Sequence, residues 1–235
     1  MTRVIARLAA ALLPLALPAA VQAAADPVQP QAPAMEFTPP AAGSYSLQKI
    51  QRVPYVPRGR LLDHRGRGVG LGDVTQGKVT LLTFFYTYCT DPYGCPFALK
   101  LMTGLRETLI ATPQRAAQLR FVSISLDPAN DSPEAVARHA GALADPKAPL
   151  EWRFLTPRSM AALLPLLEEF GQDVSVQHDA QGRPTRALNH MLKLFLIDGG
   201  GSVREIYALD YLHPAMMLND IDTLLIERGD LPPAR

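Results

Sequence analysis

Residues 78–88, KVTLLTFFYTY, make a continuous apolar and β-branched run that ends at Cys89. With no polar alternation, such a run predicts a strand covered on both faces, the central strand of a sheet. Its downstream boundary is equally informative. Pro96 suits the first turn of a helix because its φ is already fixed, and residues 97–110 continue in helical pattern. Cys89 and Cys95 therefore fall in a strand-to-helix loop. The intervening Thr90-Asp91-Pro92-Tyr93-Gly94 is rich in turn formers and can fold back to bring the two sulfurs together, so a disulfide across the loop is feasible. Cys95 is expected beside a helix N-terminus, where unpaired N–H groups and the helix dipole favour a thiolate.

The flanking segments alternate. Residues 61–66 enter a glycine-rich turn at 68–72, which predicts an N-terminal β-hairpin. Residues 119–126 form a second buried strand. Asp131-Ser132-Pro133-Glu134 is a helix start, with Asp131 read as the cap of a helix running to 144. A short strand at 152–155 precedes a third helix, expected to begin at Thr156-Pro157, to kink at Pro165 and to stop at Gly171. Residues 173–188 are polar and contain Gly and Pro, so a loop is expected. Residues 191–197 and 202–209 flank Asp198-Gly199-Gly200-Gly201 as a hairpin, and 215–228 form an amphipathic helix. No internal repeat is present. This order describes an α/β fold with a mixed central sheet flanked by helices, and a thioredoxin-like arrangement fits it. Fold alone does not supply function.

The N-terminus reads as a signal peptide over residues 1–25. Arg3 and Arg7 precede an apolar run at 8–21, and Val21-Gln22-Ala23 offers small side chains for cleavage near 23–25. Pro14 and Pro18 break that run into pieces shorter than the roughly 20 residues that span a bilayer. Export to the periplasm follows, with membrane anchoring the alternative if the signal is retained. Residues 26–45, dense in Pro, Ala and Gln, read as a flexible tether, 46–230 as one domain and 231–235 as a tail. A formal net charge of +1 argues against nucleic acid and anionic membranes as partners. Two cysteines in an exported chain point to a bonded, metal-binding or redox-active pair.

Phe85-Tyr86-Thr87-Tyr88-Cys89 followed by Cys95-Pro96 resembles the cysteine motif of the Sco (SenC) family, copper-handling proteins that assist assembly of the copper centre of cytochrome c oxidase. Leu62-Asp63 with Gly66, Gly77-Lys78, Ser125-Leu126-Asp127-Pro128 with Asp131 and Pro133, and Asn189-His190 fall in the same order, so the resemblance spans about 61–225. It implies a thioredoxin-like fold and copper bound by Cys89, Cys95 and His190. The implied function is that of a metallochaperone, with a respiratory copper protein, such as the copper-site subunit of cytochrome c oxidase, as partner. Two thiolates and one imidazole form a soft set that suits copper. Relative to the family pattern, five residues rather than three separate the cysteines, Asn189 replaces an aspartate, and Met191 replaces a serine.

Other readings use the same residues. As a thiol–disulfide oxidoreductase, the chain would use Cys89 and Cys95 as a catalytic redox pair on a partner's cysteines. As a binding domain, it would use them only as a structural disulfide. His178 is a competing ligand, whereas His64, His139 and His213 are expected at the surface. Asp127 and Asp131 have structural reasons to be present, and Met216 and Met217 fit core packing, as does Met191 on the strand pattern.

Overall fold

The computed structural model describes residues 38–232. The expected signal peptide, the tether through residue 37 and residues 233–235 lie outside the described residues. Strands β1 (Gln51–Arg52), β2 (Leu61–Asp63) and β3 (Gly68–Val69) precede a single-turn helix, α1 (Gly72–Thr75). The expected N-terminal hairpin is β2 with β3, paired Leu61↔Val69 and Leu62↔Gly68.

Strand β4 (Val79–Phe85) is buried at every position, as its unbroken apolar pattern requires. After it come α2 (Cys95–Ile110), the short α3 (Pro113–Ala117) and β5 (Leu119–Ser125). Next are α4 (Pro133–Ala140), a 3₁₀ turn (Gly141–Ala144) and β6 (Glu151–Pro157). β4 and β5 run parallel, as do β5 and β6, each pair joined by a helical crossover. Helix α5 (Met160–Glu169) and strands β7 (Val174–His178) and β8 (Pro184–His190) lead to the hairpin of β9 (Lys193–Ile197) and β10 (Ser202–Ala208). Helix α6 (Pro214–Arg228) follows and is closed by Gly229 in the left-handed region.

The described residues build an eight-stranded sheet in the order β1-β10-β9-β4-β5-β6-β2-β3, and a separate two-stranded sheet of β7 and β8. β9 is antiparallel to β4. The C-terminal ends of β4 and β5 and the start of β9 therefore share one end of the sheet. The loops carrying Cys89 and Asp127 leave from that end, and His190, the last residue of β8, stands just before β9 begins there. This is the mixed α/β, thioredoxin-like arrangement expected.

Four local expectations are corrected. Thr156 and Pro157 belong to β6, where they pair with β2, and α5 starts instead after Ser159, whose Oγ accepts from the Ala162 N–H. The helix start at 131–134 holds, but Ser132 supplies the cap by accepting from Ala135 N–H, which frees Asp131 for another task. Residues 173–188 are not a loop: they contain β7 and most of β8, with Val174 opposite His190 and Val176 opposite Leu188. Most positions of these strands are exposed, so they carry none of the apolar alternation that reveals a half-buried strand. The end of the expected tether is also held. Gly43 N–H donates to Thr223 Oγ1, the Tyr45 hydroxyl to Asp220, and Asn219 Nδ2 to Pro40 O.

The three hairpin turns share one chemistry. Asp63, Asp179 and Asp198 each accept through Oδ1 from the N–H groups two and four residues ahead. Gly66, Gly182 and Gly201, three residues after each aspartate, take φ of 75°, 76° and 80°. A three-residue loop closed by a left-handed residue is a favoured hairpin connection, and glycine adopts that φ without strain.

Candidate metal and thiol site

The cysteine loop is fixed from below by a carboxylate. Asp131 is 0% exposed and accepts hydrogen bonds from Thr87 N–H, Thr87 Oγ1 and Ser125 Oγ. Burying that carboxylate is offset by these bonds, and they pin the chain two residues before Cys89. Beside it, Asp127 accepts from the Tyr88 hydroxyl and from Asn130 Nδ2. Burial works against its charged form, yet these bonds and backbone N–H groups outweigh it and hold the Asp127 carboxyl below the usual range.

Cys89 is half-buried, Cys95 is 6% exposed, and both are unbonded thiols in this structure. Cys95 is the first residue of α2, preceded by Gly94. A Cβ at Gly94 would lie 3.4 Å from Cys89 Sγ, so the first sulfur folds back against the helix start. The expectation that the helix N-terminus favours a Cys95 thiolate is corrected. Burial, reinforced by neighbouring Cys89, pushes the Cys95 thiol well above its ordinary pKa, because desolvation of the charged form exceeds what the backbone N–H groups return.

β8 brings in the imidazole. His190 Nε2 lies 3.8 Å from Cys95 Sγ, and Nδ1 is 3.4 Å from the Met191 carbonyl. With Nδ1 donating to that carbonyl, Nε2 keeps its lone pair directed at the sulfur. Burial lowers the His190 pKa, against the Met191 carbonyl and Asp91, and so favours the neutral ring that a metal needs. Tyr86, 3% exposed, connects the two halves. Its ring meets His190 edge-on at 6.0 Å and Tyr88 at 4.9 Å, and its hydroxyl lies 3.4 Å from both N and O of Leu188. Arg186 lies over the Tyr88 ring at 4.6 Å, a second fastening of β8 to the cysteine loop.

These groups border an open cleft of ≈ 740 Å³ between the cysteine loop and the β7–β8 hairpin, with Tyr86, Cys89, Asp91 and His190 in its wall. Cys95 meets His190 and neighbours Cys89. Among the described residues, no three His, Cys, Asp or Glu side chains converge tightly enough to form a ready metal cluster. The donor set itself fits a soft monovalent ion, with two sulfurs and an imidazole nitrogen whose second nitrogen is already engaged.

Several sequence expectations meet different outcomes here. His178 is exposed on β7, and His213 is exposed. His139 is not a surface residue: it is stacked on Phe85 at 5.0 Å, and burial lowers its pKa. His64 is half-buried, with its Nδ1 enclosed and lacking a hydrogen-bond partner. Asp131 is structural as expected, but as an anchor of the cysteine loop. Met217 is in the core, with Met216 packed against it. Met191 is 61% exposed rather than buried, because it follows β8 instead of lying within β9. Tyr86, Tyr88 and Arg186 were not legible as site residues, since aromatic residues in a buried strand read as core and an arginine in a polar segment reads as solvated.

The family model described as SCO1/SenC matches residues 48–225. No curated protein matches the chain. Among solved structures, BsSco, described as a member of the Sco family of cytochrome c oxidase assembly proteins in which a disulfide switch was identified, is 22% identical. It covers 77% of this chain and 98% of its own, with a TM-score of 0.56. ScoI of Bradyrhizobium japonicum, solved with copper bound, is 20% identical over 71% of this chain and 98% of its own, TM-score 0.54. ScoI of Arabidopsis thaliana, also with copper bound, is 18% identical over 73% and 98%, TM-score 0.57. The structural likenesses establish the shared fold, and the family match over most of the domain establishes descent: this chain belongs to the SCO1/SenC family.

Proposed function

We propose that this protein is an exported copper carrier that works in the periplasm and delivers copper to a respiratory copper enzyme such as cytochrome c oxidase. Copper is its cargo, held by Cys89, Cys95 and His190. The observation that carries this reading is the 3.8 Å approach of His190 Nε2 to Cys95 Sγ across two elements far apart in sequence, with Cys89 in the same cleft wall. The family match, and the copper found in the Bradyrhizobium and Arabidopsis relatives, support it. Loading displaces the thiol protons, so affinity rises with pH. The positive start, apolar run and small-residue site at the N-terminus support export. Among the described residues no helix is long and apolar enough to cross a membrane.

The test is titration of the reduced protein with copper(I) against a competing chelator. One ion per chain is expected, with binding largely abolished in Cys89→Ser and Cys95→Ser. In His190→Ala it should be weakened by at least about a hundredfold, beyond what a mere outer-shell change costs. Equal binding in all four proteins would overturn the reading.

One observation favours thiol exchange as a second reading. Cys89 is the more accessible sulfur and Cys95 the enclosed one, an order suited to attack by Cys89 on a partner disulfide and release by Cys95. The partner's disulfide is then reduced to two thiols while Cys89 and Cys95 become a disulfide.

A further inference from the structure

The Tyr86 hydroxyl has one proton to give and two acceptors within reach. It lies 3.4 Å from the Leu188 carbonyl, and the same oxygen accepts from the Leu188 N–H at 3.4 Å. The Cys89 thiol is the other polar group beside it, in the wall of the same cleft. A phenol donates one hydrogen bond at a time, so the bond to Leu188 O and a bond to the Cys89 sulfur exclude each other. Both Leu188 contacts are longer than usual for hydrogen bonds to oxygen, so the arrangement holds β8 without locking it. Burial of the ring at 3% exposed and its edge-on contacts with His190 and Tyr88 fix where the hydroxyl stands.

We propose that Tyr86 is the positioning residue of the site: its hydroxyl latches β8, and therefore His190, onto the cysteine loop, and turns its proton to the Cys89 sulfur when that sulfur carries copper. This rests on the copper reading above. A metal-bound thiolate is a better acceptor than a neutral thiol, and a donor to sulfur tunes the metal as an outer partner does. Leu188 O then loses a donor, while Leu188 N–H keeps the phenol oxygen as its acceptor. Copper loading is thereby coupled to how tightly the β7–β8 hairpin is held, through one hydroxyl.

Tyr86→Phe keeps both ring contacts and removes only the hydroxyl. In the reduced, metal-free protein, hydrogen exchange at the Leu188 amide should accelerate about tenfold or more, the loss of a single protecting bond, while amides of β4 and β5 stay unchanged. With copper(II), the sulfur-to-copper charge-transfer band should shift, and copper(I) affinity should fall about tenfold, the lower end of an outer-shell effect. Thermal melting of both proteins shows whether the fold is retained, and Tyr86→Trp, which restores a donor, should recover part of the spectral shift if the hydroxyl acts by donating. Unchanged Leu188 exchange and an unchanged band in a Tyr86→Phe protein that still binds copper would overturn this proposal alone. Failure of the wild type to bind copper, with Leu188 exchange still accelerated in Tyr86→Phe, would remove the copper reading and the turn toward Cys89 but leave the latch.

Discussion

Asp131, with no exposed surface, accepts hydrogen bonds from both the backbone N–H and the hydroxyl of Thr87, two residues before Cys89. It reaches them from the segment between β5 and α4. Ser125 completes the cage. The carboxylate is thus the floor on which the cysteine loop is set.

Asp131→Ala leaves the Thr87 N–H, its hydroxyl and the Ser125 hydroxyl without an acceptor in a closed space. A loss of about 3 kcal/mol of stability is expected, the scale of removing a charged acceptor from buried donors. Urea unfolding of wild type and variant measures it. Exchange of the Thr87 amide should rise more than that of the β6 amides. A change below about 0.5 kcal/mol, within the range of ordinary surface substitutions, would show that the carboxylate is dispensable.

Acid should destabilise the metal-free protein earlier than its carboxylates alone would. Burial lowers the pKa of His64, His139 and His190 below the ordinary 6.5. The unfolded chain then binds more protons than the native one below that value. Their contribution is fully present above pH 6.5 and is lost as pH falls from there through the native values. The lowered carboxyls of Asp63 and Asp127 act in a separate window, below about 4. Melting temperatures should therefore decline from pH 7 to pH 5. His139→Leu, which keeps an apolar group against Phe85, should take up fewer protons on unfolding near pH 6, by less than one per chain. A flat melting temperature across that interval would contradict this.

The central strand, the cysteine helix and the β9–β10 hairpin were legible in the sequence because each rests on a local rule: an unbroken apolar run, a proline in the first turn, glycines between two strands. The β7–β8 hairpin was not, since strands whose side chains mostly face water have no hydrophobic period to read. A usable signal was nonetheless present. Asp179-Ala180-Gln181-Gly182-Arg183 repeats the spacing of Asp63-His64-Arg65-Gly66-Arg67, and the two turns are bonded alike, down to the arginine paired with its aspartate. Cys89, Cys95 and His190 could be named from the motif, and the structure brings His190 to Cys95. Tyr86 and Asp131 stand in the same pattern, but their roles are not legible there, because they depend on contacts across elements. The rise of the Cys95 pKa was hidden for the same reason: sequence gives the helix terminus, and only packing gives the burial that overrides it.

The central claim is the ligand set, and X-ray absorption at the copper edge of the protein loaded with one equivalent of copper(I) tests it most directly. Two sulfur neighbours and one imidazole nitrogen are expected in wild type. The nitrogen should disappear in His190→Ala, and one sulfur in Cys89→Ser if that variant retains any metal. A first shell made only of nitrogen and oxygen, or a wild-type spectrum unchanged by His190→Ala, would contradict the account.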